Sequence, residues 1–207
     1  MPAVRAVRSR DLESEATRRA ILDAAEELLA GGGEAGLSIR EVCARAGVTP
    51  PTVYHHFGDK AALVDRVVED CFTEFDRAGA ARTPPADPVE ALRWAADTYL
   101  AYGVAHPTHY RLMFQQRPAR PSPAGLASYD RLRRLVAAIA AAGRLAPPLE
   151  DATAAFWCMV HGVTSLVIAG FLEPDAPSVA LVRDAMIAQL TRGPAAKRPR
   201  ARKGRRR

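Results

Sequence analysis

The chain of 207 residues lacks most of the patterns that announce an enzyme, a secreted protein or a membrane protein. Its three cysteines, Cys43, Cys71 and Cys158, are far apart and odd in number, which excludes a disulfide framework and gives no metal-ligand spacing. Cys43 and Cys71 fall on apolar stripes and read as buried reduced thiols. No apolar run reaches the roughly 18 residues of a membrane span. The first ten residues lack the apolar segment of a signal peptide. A cytoplasmic chain with no membrane contact is therefore expected. There is no Gly-rich phosphate loop, nucleophile elbow or metalloprotease motif, so neither an enzyme nor a cofactor is expected. His106, His109 and His161 are the only set of histidines worth testing for a metal. Neither a cysteine nor an acid completes the set by spacing, so no metal is expected.

Charge is unevenly spread. The net charge is +6, but eight of the 29 Lys and Arg residues lie in residues 193–207 and three in residues 1–10, segments without a single acid. The eighteen that remain face all 23 acids, so residues 11–192 are net negative. The basic character belongs to two ends that read as disordered arms able to contact phosphates. The C-terminal run reads equally well as compositional bias in a chain rich in Arg, Ala, Gly and Pro. The N-terminal arm directly precedes the unit described next, which favours contact there.

With no period-2 strand pattern, everything after residue 12 reads as helix, and the fold expected is all-α. Ile21, Ala24, Ala25, Leu28 and Leu29 share one face of a helix over 14–30, which Gly31-Gly32-Gly33 ends. Ser38 and Glu41 form a capping box for a second helix, which Gly47 closes. A very short third helix covers about 50–56. Asp59 caps a long fourth, with Leu63, Val64, Val67, Val68, Cys71, Phe72 and Phe75 in one apolar stripe. Residues 79–88 form a Pro-rich linker. Further helices are expected near 88–105, 107–114, 124–142, 149–171 and 177–191. The helix from 149 is apolar on nearly every side, so one face covers the core and the other calls for a partner, most simply the same helix of a second subunit.

Residues 47–60 carry two threonines, a tyrosine, two histidines and a lysine in about three turns, far too polar for a core helix. Gly47-Val48-Thr49 is a turn of helix-turn-helix length, and the motif sends its second helix into the DNA major groove. Thr49 and Thr52 supply hydroxyls, Tyr54 a phenol, His55 and His56 ring donors, and Lys60 a positive charge over the backbone. Ser38 places a hydroxyl beside the free N–H groups of a helix start, a natural phosphate seat. Val53 and Phe57 point inward.

The run from about residue 16 to 64 resembles the N-terminal domain of the TetR/AcrR family of transcriptional repressors. Its carrying residues are Arg19-Ala-Ile-Leu-Asp-Ala-Ala-Glu-Glu-Leu-Leu29, Leu37-Ser-Ile-Arg-Glu-Val-Cys-Ala-Arg-Ala-Gly-Val-Thr49, Tyr54-His-His-Phe57 and Lys60-Ala-Ala-Leu63. The resemblance implies an all-helical homodimer whose heads bind palindromic, double-stranded operator DNA and whose helical bodies bind a small-molecule inducer. It implies a DNA-binding domain over 14–58 and a ligand-binding and dimerisation domain over 59–192 with the last two helices as the dimer contact, between the disordered arm over 1–13 and the disordered tail over 193–207 that the charge pattern marks out. It puts Ser38, Arg40, Thr49, Pro50, Thr52, Tyr54, His55, His56 and Lys60 at DNA-contact positions. Pro50-Pro51 departs from the Pro-Gly, or the longer base-reading side chain, often found there. Two prolines suit a helix start, yet neither can donate to a base, which leaves apolar contact with thymine methyls as one readout. An architectural DNA-binding protein that relies on its basic tails and has no inducer is the alternative.

Residues 94–114 and 156–171 gather the remaining aromatics and histidines. His106-Pro-Thr-His-Tyr-Arg-Leu-Met-Phe114 and Trp157-Cys-Met-Val-His-Gly162 resemble the signature of the TetR C-terminal group named WHG. The resemblance implies a ligand site, with Trp94, Tyr99, Tyr102, Tyr110, Met113, Phe114, Trp157 and His161 as its candidates. Taken residue by residue, core is the commoner reading of the same side chains.

Overall fold

A computed structural model describes the backbone of residues 2–115 and 121–191, all of it helix, turn and loop apart from one isolated bridge between Leu145 and Thr191. The tail assigned to 193–207 lies outside the described residues. The helices are α1 (Pro2–Gly36), α2 (Ile39–Ala46), α3 (Pro50–Phe57), α4 (Lys60–Ala80), α5 (Pro88–Ala105), α6 (Pro107–Gln115), α7 (Pro123–Ala141), α8 (Leu149–Ile168) and α9 (Pro177–Leu190). The all-α expectation holds, and the bounds of α2 and the start of α4 fall where their caps placed them. Ser38 accepts from the Glu41 N–H at 3.1 Å, Asp59 from Ala62 at 2.7 Å, and Gly47 closes α2 at φ 67° and ψ 31°.

Two boundaries differ from the sequence reading. α1 begins at Pro2 rather than after an arm ending at residue 13. Its opening run of Ala, Arg, Leu and Glu has high helix propensity, and a proline suits a first turn. The helix also resumes after Gly33, whose φ of 60° and ψ of −162° break its regular course inside the expected glycine stop.

Contacts divide the chain into two units: residues 1–83 with 101–130, and residues 84–100 with 131–207. The division falls inside α5 and α7. The first unit has its own apolar cluster, built on Ile21, Leu29, Leu37, Val42, Val53, Leu63, Val67 and Leu112, with Phe57, Phe72, Phe75 and Phe114 packed against it. The second is built on Leu92, Val136, Ile139, Ala152, Phe156, Val160, Ile187 and Leu190. Around that second cluster, Arg183 reaches Asp97 and Asp184, and Arg93 bonds to Asp184, tying α5 to α9. The Arg183 hydrogen bond holds the Asp184 carboxyl below its ordinary range. Asp87 is lowered in the same way, first by the Glu90 N–H and then by Arg144.

α8 corrects one expectation. By length and composition it is apolar enough to cross a membrane, with mean hydropathy 1.3. Thr, Ser, Gly and Ala interrupt its Val, Ile, Phe and Met residues, so a search for one unbroken apolar run passes over it. Within the second unit its Ala152, Phe156, Val160 and Val167 are buried as core.

The turn between α2 and α3 depends on Gly47. A Cβ there meets nothing within 4 Å, so the cost of Gly47→Ala is the backbone cost of the left-handed conformation alone. We expect a loss of about 1–2 kcal/mol in urea unfolding, with the helical circular dichroism of the folded state unchanged.

Candidate nucleic-acid interface

α3 is eight residues long and has one fully buried side chain, Val53, at 1% exposure. Phe57 packs beside it, and the guanidinium of Arg18 from α1 lies 5.6 Å from the Phe57 ring centre, over its face. This seat is apolar on one side and cationic on the other. It turns the opposite side of the helix outward. Pro50, Pro51, Tyr54 and His55 are exposed there, Tyr54 at 49%, with Thr52 and His56 half-buried at the edges. Pro50 and Pro51 occupy the first two positions, where missing N–H groups cost nothing.

The polar side chains of the head are already engaged with one another. The hydroxyls of Thr49 and Thr52 lie 3.0 Å apart and bond to each other. Ser38 donates to the Glu41 carboxylate at 3.2 Å while accepting from its N–H. Lys60 donates from Nζ to the backbone oxygen of Glu34 at 2.9 Å. Arg40 is exposed on the first turn of α2. His55 and His56 meet edge to face at 5.4 Å. The nine residues singled out from the sequence thus all belong to α2, α3 and their flanks, on one unit. The hydroxyls of Ser38, Thr49 and Thr52 and the Lys60 ammonium each have an internal partner.

The aromatic candidates fall into two groups. Tyr102, Tyr110 and Met113 are buried in the first unit, with Phe114 half-buried beside them. Their rings meet edge-on or tilted in two groups: Phe75 with Tyr102 at 5.0 Å, and Phe114 with both Tyr110 at 5.0 Å and Phe72 at 5.6 Å. Trp94, Tyr99, Trp157 and His161 belong to the second unit. There Tyr99 Oη and His161 Nδ1 are 3.2 Å apart, and Trp157, itself 38% exposed, lies one turn from His161. One turn further along α8, the Thr164 hydroxyl is fully buried without a hydrogen-bond partner.

A cleft of about 240 Å³ in the first unit, between α1, α4 and α6, is lined by charged groups including Glu26, Arg66, Asp70, Glu74 and His109. Sequence reasoning passed over Glu26 and Glu74. His109 Nε2 meets Glu26 at 2.9 Å, its Nδ1 lies 3.2 Å from the Tyr102 hydroxyl, and Glu74 stands 3.8 Å away. The only signal in the sequence is that Glu26 falls one turn from both Leu22 and Leu29 on an otherwise apolar face. Burial, followed by the charges of Glu26, Asp70 and Glu74, pushes the Cys71 thiol up to about 12. Burial and Glu74 raise the Tyr102 phenol as well. Both shifts favour the protonated forms, and the Tyr102 hydroxyl keeps its contact with His109.

A helix-turn-helix whose second helix is held from behind and polar in front defines a DNA-binding regulator fold. A family model described as bacterial regulatory proteins, tetR family, matches residues 21–67, and one described as tetracyclin repressor-like, C-terminal domain, matches residues 92–190. The chain belongs to the TetR family of helix-turn-helix regulators. It is 36% identical over 56 residues to the transcriptional regulator UidR of Escherichia coli, a match covering 27% of this chain and 29% of that one. It is 40% identical over 76 residues to a helix-turn-helix repressor of Mycobacterium tuberculosis, covering 37% and 40%. These matches span less than half the length of either relative. A protein of unknown function from Rhodococcus sp. RHA1 shares the fold more fully, with a TM-score of 0.69 at 28% identity over 85% of this chain and 96% of that one.

Desolvation lowers the His161 pKa below its ordinary value. The folded state therefore prefers the neutral ring. Above the unfolded-state pKa of roughly 6.5 both states are neutral and the preference costs nothing. As pH falls from there towards the folded value, the unfolded state takes up the proton first and stability drops. Chemical denaturation should show this acid-side loss reduced in His161→Gln, compared with the native chain between pH 7 and 5.

Proposed function

We propose that this chain is a one-component transcriptional regulator, acting as a repressor in the cytoplasm. It binds palindromic operator DNA as a homodimer and is released by a small-molecule inducer. The observation that carries the reading is the outward face of α3: an eight-residue helix buried on Val53 and Phe57 that presents Pro50, Tyr54 and His55 to solvent. A short helix held this way fits a major groove with its N-terminal residues towards the base edges. Tyr54, His56 and Lys60 serve phosphates. Thr49, Thr52 and His55 lie nearer the bases, and the proline rings meet thymine methyls. The WHG grouping rests on Trp157, His161 and Gly162.

Operator selection from random DNA with purified protein tests this. The expected product is a palindrome whose half-sites lie about one helical turn apart, roughly 34–36 Å. Enrichment of nothing in particular would sink the repressor reading in favour of an architectural protein. Replacing the thymines of the selected half-site by deoxyuridine removes only the methyl. Binding should weaken by about fourfold for each methyl that a proline ring covers.

The dimer reading draws on α8 and α9. Trp157, Leu166, Leu181, Val182 and Phe171, just past the end of α8, are exposed large apolar residues of the second unit. Ala154, Cys158, Gly162 and Leu166 recur every four residues, all exposed on one face of α8. A Cβ at Gly162 meets nothing within 4 Å, so packing within the chain does not explain a mid-helix glycine that costs about 1 kcal/mol relative to alanine. A second copy of α8 accounts for it. Leu166→Glu should convert the dimer to monomer in sedimentation at micromolar concentration, and an unchanged mass would remove α8 from the interface.

For the inducer, the aromatic candidates within the second unit are Trp94, Tyr99, Trp157 and His161, and those within the first are Tyr102, Tyr110, Met113 and Phe114, each group taken by itself. The neutral ring of His161 and the unpartnered Thr164 hydroxyl suit an uncharged polar group. Ligand binding acts on DNA affinity through α4, the helix that follows the recognition helix after only Gly58 and Asp59.

A further inference from the structure

α4 and the start of α7 are joined by an arrangement that DNA contact does not use. The Glu69 side chain of α4 reaches the N-terminus of α7. Its Oε1 and Oε2 accept from the Ala124 N–H at 3.0 and 3.2 Å, and its Oε2 also accepts from the Ser122 hydroxyl. Ser122 Oγ also accepts from the Gly125 N–H at 2.9 Å, so it caps α7 while donating its hydroxyl hydrogen bond to Glu69. Pro123 occupies the first helical position and needs no acceptor. The free donors of this helix start are thus shared between a local serine and a carboxylate 55 residues away in sequence, which also suits the positive end of the helix dipole.

One turn along α4 from Glu69, Phe72 lies flat against Gly125. A Cβ at Gly125 would stand 3.1–3.3 Å from three atoms of the Phe72 ring, closer than side chains pack. Glycine at this position lets the two helices meet, and Phe72 is held on its other side by Phe114, edge to face at 5.6 Å. The joint has a polar half and an apolar half on consecutive turns. Its bonds are directional, so α4 is fixed in rotation and along its axis as well as pressed against α7.

The other end of α4 is equally constrained. Gly58 and Asp59 alone separate it from α3, and Leu63, Val64 and Val67 bury it in the core that seats α3. A shift of α4 carries the recognition helix with it. We propose that Glu69 is a positioning residue: its bonds to the start of α7 set where α4 holds the recognition helix, and so set the half-site spacing that a dimer reads. The proposal rests on the dimeric operator-binding function above. It adds which side chain determines the spacing.

The test measures the affinity of the full-length protein for its selected operator with the spacer between half-sites lengthened or shortened by one base pair. The native chain should favour one spacing by about tenfold, the effect of one mismatched base pair. Glu69→Ala should flatten that preference to about twofold, with the affinity for an isolated half-site unchanged. Glu69→Gln keeps an oxygen for the Ala124 N–H and should restore most of the preference. A purely structural role would lower the melting temperature of Glu69→Ala and leave its spacing profile native, and that result overturns the proposal. Should Glu69→Ala fail to fold, Ser122→Ala, which removes one bond of the same joint, carries the same expectation and the same refutation. A native chain that shows no spacing preference removes the dimeric reading and the proposal together. A native chain that discriminates beside a Glu69→Ala that discriminates equally removes the proposal alone.

Discussion

Everything this protein offers to DNA depends on the burial of one side of α3. A helix of eight residues is too short to persist by its own hydrogen bonds, since nucleation consumes most of what two turns return. α3 exists because Val53 and Phe57 enter the core formed by α1, α2 and α4, with Arg18 closing over the Phe57 ring. The same docking that makes the helix stable fixes which side chains face out. Recognition is therefore a by-product of core packing. Truncating Val53 would do more than loosen the seat, because it removes the reason for the helix to form.

Around that seat, the head keeps its polar groups satisfied in ways that exchange readily. A hydroxyl bonded to another hydroxyl, a serine bonded to its capping-box glutamate and a lysine on a backbone oxygen all give up modest net interactions. In the proposed DNA complex, charge-assisted bonds to phosphate replace them. The internal bonds also hold the side chains near where they are needed, which trims the entropy of ordering them on binding.

How far the sequence could be read follows from the range of the forces involved. Caps and turns were legible because they act over three or four residues: Ser38 with Glu41, Gly47 in its left-handed turn, Asp59 before α4. The outward face of α3 was legible because its polarity conflicts with its position between two core helices. Pairings across long stretches of chain were not. Nothing local announces that Glu26 meets His109, that Lys60 turns back to Glu34, or that Glu69 caps a helix starting beyond residue 120. The aromatic residues of 94–114 read as one cluster because they are close in sequence. In the fold, Tyr99 pairs with His161 in one unit while Tyr102, three residues on, bonds to His109 in the other.

That split has a consequence for how such a protein can change over generations. The two apolar clusters have no residue in common. Substitutions that reshape one leave the packing of the other intact, apart from what α5 and α7 transmit along their backbones. Drift can enlarge, shrink or re-polarise the second cluster without a compensating change among Ile21, Val42, Val53 or Leu63. A chain built on two separate cores can therefore remodel one of them while the packing that seats α3 stays as it is.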